Sequence, residues 1–96
     1  MKYIVGIETH GQTGFNIFPD WVDHVSGART FPSVLGAGYV HIECKPIGGN
    51  LIPQVICYGQ SDGLGIKSRG AMDTNTINEQ LLIQLKEHTL NPNFLP

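Results

Sequence analysis

Residues 38–59 read GYVHIECKPIGGNLIPQVICYG. Tyr39, His41, Glu43 and Lys45 alternate with Val40, Ile42 and Cys44, a period of two that sets a polar face against an apolar one. Gly48–Gly49–Asn50 supplies turn residues, and Val55–Ile56–Cys57–Tyr58 supplies a return strand. A β-hairpin over 38–59 is therefore the centre of the fold.

Its register decides what its side chains can do. With Gly48–Gly49–Asn50 as a three-residue loop, Ile47 pairs with Leu51 and His41 falls opposite Cys57 on the polar face. A thiol beside an imidazole is the raw material of a cysteine nucleophile. With Gly49–Asn50 as a two-residue loop, Gly48 pairs with Leu51 and Ile42 falls opposite Cys57. Cys44 then falls opposite Val55, and both cysteines enter the core. A slip of one residue moves every side chain to the other face. Free cysteine usually behaves as a small buried hydrophobe, so the second register is the expectation.

Outward from the hairpin, residues 2–10 alternate as a strand. Ile4 makes both of its faces partly apolar, which suits a central position. Gly11–Gln12–Thr13–Gly14 reads as a loop. Residues 19–25 fit a short helix, with Pro19 at its first position, Asp20 at its positive end and Gly27 as its stop. Residues 26–37 read as a long Gly/Ser loop. Beyond the hairpin, Ser61–Asp62–Gly63 turns into a short strand from Leu64 to Arg69. Thr76 and Glu79 fit a capping box, and Ile77, Leu81, Leu82 and Leu85 form an apolar stripe. These predict a helix over 77–88, with Lys86 and His88 near its negative end, followed by a tail at 93–96. The fold class is α+β. A small, mostly antiparallel sheet of about four strands carries the C-terminal helix on one face, with one short extra helix, in a single domain over 1–96.

Composition narrows the function classes. The chain has 96 residues, enough for one modest core. Apolar residues make up 41% and charged residues 15%, so the surface rests on uncharged polar groups and suits docking. The net charge of −2, with six scattered Lys and Arg, gives no footprint for nucleic acid. No apolar run reaches a membrane span, and Met1–Lys2–Tyr3–Ile4–Val5 enters a strand without a signal-peptide pattern. The expected location is cytoplasmic, or exported without a Sec signal. Two cysteines without C-x-x-C spacing make no disulfide scaffold.

Several residues are candidates for function. Cys57 as nucleophile with His41 as base would make a cysteine hydrolase or amidase. His10, His41 and Glu43 could supply three metal ligands, although no zinc-binding spacing is present. The glycine-rich stretch Gly59–Gly65 is followed by no helix and reads as a hairpin turn rather than a P-loop. Arg29, Lys67 and Arg69 would be the contacts to an anionic small ligand. Phe15, Phe18 and Trp21 concentrate aromatics, as core anchors or as an interaction hot spot. Tyr39 and Glu43 share the polar face of the hairpin and join the candidate binding residues. No cofactor is called for.

Gly36–Ala37–Gly38–Tyr39–Val40–His41–Ile42–Glu43, followed by Val55–Ile56–Cys57–Tyr58–Gly59, resembles the first half of permuted papain-like (NlpC-type) domains of bacterial effectors and toxins. Those domains carry a Gly-His strand, a return strand near Tyr-Gly, and a later nucleophile at a helix start. Here Tyr39 stands at the expected His position, and no cysteine follows Cys57. The resemblance implies a degenerate or incomplete domain, better suited to binding than to cutting. The expectation is a non-enzymatic bacterial or phage interaction module, acting on a protein partner, as a homodimer, or on a small ligand. The hydrolase and the metal protein are the alternatives.

Overall fold

The computed structural model describes residues 1–90, with side chains through residue 84. The elements are β1 (Lys2–Ile7), β2 (Thr13–Phe18), α1 (His24–Gly27), β3 (Ser33–Ile47), β4 (Asn50–Tyr58), β5 (Gln60–Ser61), β6 (Ile66–Lys67) and α2 (Ala71–Leu90). Four strands form an antiparallel sheet in the order β2-β1-β3-β4, and β5 pairs with β6 separately. The α+β class, the four-stranded sheet, the C-terminal helix and the short extra helix are all present. β1 is central, as Ile4 requires.

Around β1, each face of the sheet is covered. On one, Tyr3, Val5, Val40, Val55 and Cys57 form a buried cluster with Ile77 of α2. On the other, Ile4, Phe18 and Ala37 pack with Ala28 and Phe31, flanked by Val22, Leu64 and Ile66. Segment 19–32 and the β5–β6 hairpin thus roof the second face. Burying both faces of one short strand is how so small a chain builds a core. Among the described residues no helix is long and apolar enough to cross a membrane.

Several boundaries differ from expectation. Residues 13–18 form a strand, not a loop leading into a helix. The short helix starts at His24 because Asp23 caps it, accepting from Ser26 N–H at 2.7 Å. That bond holds the exposed Asp23 carboxyl below its ordinary range. β3 begins at Ser33, shortening the expected 26–37 loop. The strand expected over 64–69 narrows to Ile66–Lys67.

α2 starts at Ala71, six residues before the predicted start at 77. The Thr76–Glu79 box does not form, because Thr76 Oγ1 donates to Met72 O inside the helix. The true start is built by Ser68, Arg69 and Asp73. The side chains of Leu85, Lys86 and His88, and the tail at 93–96, lie outside the described residues.

The hairpin takes neither anticipated register. Ile47 pairs with Asn50, and the loop is Gly48–Gly49. Both glycines have positive φ, 59° and 83°, the conformation a tight two-residue hairpin turn demands. Val40 therefore lies opposite Cys57, His41 opposite Ile56, and Cys44 opposite Pro53.

Candidate functional site

The register separates the expected catalytic pair. Cys57 points to the α2 face with Val40 and is 4% exposed. His41 points to the opposite face, beside Ile56. Burial pushes the Cys57 thiol up to about 11, and the Asp73 charge adds to the shift. Hydrogen bonding with Thr74 and Tyr3 offsets only part of it. The Cys57 thiol is thus held protonated on the face away from the His41 imidazole. Cys44, expected in the core, is exposed, because α2 covers this face only near Val55 and Cys57.

The metal candidates also part. His10 follows the Ile7 end of β1, whereas His41 and Glu43 lie beyond the Lys2 end, where Lys2 pairs with Tyr39. The intervening strand is about 20 Å long at roughly 3.3 Å per residue. Among the described residues, no group of three His, Cys, Asp or Glu could hold a metal ion. Glu43 instead lies 3.5 Å from Lys45.

The predicted binding residues scatter. Phe18 is a core anchor at 6% exposure, its ring edge-on to buried His24. Arg29 and Lys67 are exposed on separate elements. Arg69 is tied to Asp73, with its Nε donating to Oδ1 at 2.7 Å. Trp21 is 86% exposed in the loop held to β1 by Lys2 Nζ donating to Val22 O. Tyr39 is partly exposed, 6.0 Å from the Tyr58 ring.

Two arrangements escaped the sequence reading. The first is a buried polar network. Asp73 is fully buried and accepts from Tyr3 O–H at 2.6 Å, from Arg69 N–H at 2.9 Å and from Arg69 Nε. The Tyr3 hydroxyl has one proton, and ionised Asp73 can only accept it. The Ser68 hydroxyl, 2.6 Å away, therefore donates to the Tyr3 oxygen while accepting from Gly70 N–H at 3.0 Å. Burial and the bond to Asp73 push the Tyr3 phenol far above its usual range. Gly36 makes room, since a Cβ there would collide with the Asp73 carboxylate. The network locks the start of α2 to the centre of the sheet. Its only local signal was an Asp in the first turn of a helix that follows a Ser and a Gly.

The second is the outer part of the hairpin. β1 ends its pairing with β3 at Tyr39, so residues 41–56 continue as a two-stranded ribbon, with no third strand among the described residues. Ile42, Ile47, Leu51, Ile56 and Tyr58 are all exposed on it. Cross-strand pairing puts Tyr39, Tyr58, His41 and Ile56 on one face. An open groove of about 610 Å³ runs between Ile47, Ile52 and Pro53 of the ribbon and the Asn78–Leu82 stretch of α2.

No family model matches the chain, and neither the curated proteins nor the solved structures provide a match.

Proposed function

We propose that the chain is a non-enzymatic interaction module that binds a protein partner through the ribbon face carrying Tyr39, Tyr58 and Ile56. The observation that carries this reading is the partly exposed, adjacent Tyr39–Tyr58 pair, continued along the ribbon by Ile56. A two-stranded ribbon alone is marginal in water, so large apolar side chains on it are costly unless covered part of the time. Tyrosine supplies contact area at low entropic cost and is enriched in binding hot spots. The protonated, buried state of Cys57 supports binding over nucleophilic chemistry.

The test compares the parent chain with Tyr58→Ser and Ile56→Ser as baits in a lysate of the organism that makes it. One defined protein should be retained by the parent, with affinity lowered by about 2 kcal/mol, roughly thirtyfold, in each variant. Equal retention by parent and variants at unchanged thermal stability would remove the ribbon face from consideration.

A further inference from the structure

The two edges of the main sheet are not equivalent. On β4, the outward groups of Val55 and the outward N–H of Cys57 are occupied. Asn78 accepts from Val55 N–H at 2.8 Å and donates to Val55 C=O at 3.1 Å, and Thr74 accepts from Cys57 N–H at 2.9 Å. Pro53 lies in the same outward phase and has no N–H to offer.

The β2 edge is open. Val40 N–H donates to Met1 C=O at 2.9 Å, so alternation along β1 aims the backbone groups of Tyr3 and Val5 at β3. Those of Lys2, Ile4 and Gly6 then face β2, where their partners are Phe18, Asn16 and Gly14. The backbone groups of Thr13, Phe15 and Ile17 consequently point outward. The Thr13 carbonyl accepts from the Gln80 side chain at 2.9 Å. Among the described residues, no turn, loop or side-chain group reaches those of Phe15 or Ile17. The strand reads TGFNIF, without a charge or a proline. It therefore lacks the devices by which edge strands avoid pairing.

We propose that β2 pairs antiparallel with β2 of a second copy of this chain across a two-fold axis, giving one sheet continuous through both copies. An antiparallel edge is its own complement under a two-fold, which makes a second copy the fitting occupant. A register centred on Asn16 sets Phe15 of each copy opposite Ile17 of the other. Every free N–H and C=O of these residues is then bonded, and the Thr13–Gln80 bond is left intact. Phe15 and Ile17, half-buried beside the Tyr3–Val5 cluster, gain cover from their counterparts. Because Pro53, Val55 and Cys57 leave only the Leu51 end of β4 uncovered, assembly stops at two copies and does not run on as a filament.

Sedimentation of the full chain should give the mass of two chains. Ile17→Pro should give the mass of one with the circular-dichroism spectrum retained, because the outward N–H it removes serves no bond among the described residues. Hydrogen exchange on the parent gives a second readout that needs no variant. The Phe15 and Ile17 amides should exchange far more slowly than that of Leu51, which points outward from the uncovered end of β4. A monomer at millimolar concentration would overturn the proposal. So would a dimer in which Phe15 and Ile17 exchange as fast as Leu51. The ribbon reading stands apart from this result, since Tyr58→Ser should leave the mass of two chains unchanged.

Discussion

The Tyr3 hydroxyl donates to the Asp73 carboxylate across 2.6 Å, joining the first strand to the last helix between two residues that are both fully shielded from solvent. The contact spans 70 positions of sequence. A buried carboxylate is tolerated only when its oxygens are bonded, and here Tyr3 and the N–H and Nε of Arg69 do so.

Tyr3→Phe keeps the ring in the core and removes one donor from Asp73. It should cost about 1–3 kcal/mol in urea denaturation, with the midpoint lowered and the slope unchanged. Asp73→Asn should cost more, because its amide N–H₂ would confront donors that now meet a carboxylate. A neutral Tyr3→Phe would show that the pair contributes packing only.

Stability should fall in alkali. The Cys57 thiol is raised from 9.0 to about 11, so the unfolded chain releases this proton first as pH rises. The stabilisation is complete below pH 9 and is lost as pH climbs toward 11, by roughly 2–3 kcal/mol. Tyr3 shifts the same way and extends the decline above pH 10. Denaturation midpoints measured from pH 7 upward should bend downward near 9, and Cys57→Ala should flatten the first part of that bend.

The two thiols should differ in reactivity. Cys44 is exposed and Cys57 buried, so alkylation at neutral pH should modify Cys44 in the native chain and Cys57 only on unfolding. Mass spectrometry of a time course reads both sites. Native-state labelling of Cys57 faster than of Cys44 would reinstate an activated nucleophile.

The hairpin was legible because its alternation is local and strong. Its register was not, since Gly48, Gly49 and Asn50 are all good turn residues and only paired positive φ at the two glycines excludes Asn50 from the loop. β2 was hidden because Thr13–Phe18 carries Gly14 and Asn16, residue types poor in strands and common in turns, directly after the turn-like Gly11–Gln12. The first turns of α2 were hidden for another reason. Their inner positions hold Asp73, Thr74 and Asn78, polar side chains that bond the sheet where an apolar stripe would ordinarily sit. In the Tyr3–Ser68–Asp73 network only the Ser68–Asp73 half is local, and folding alone brings Tyr3 to it from 70 positions away.

Asn78 tests whether those polar positions guard the sheet edge. It bonds both the N–H and the C=O of Val55, mimicking an adjoining strand with one side-chain amide. Asn78→Ala leaves these half-buried groups without partners, which should cost about 1–3 kcal/mol. It also opens β4 to strand addition. With the β2 edges paired in the proposed dimer, further copies would then add through β4 at both ends, so light scattering should show growth beyond the dimer as concentration rises. Asn78→Asp keeps an acceptor for Val55 N–H and places a charge at the edge. It should therefore lose stability without forming the larger species. If Asn78→Ala is less stable yet no more associated than Asn78→Asp, the side chain anchors α2 and does not shield the edge.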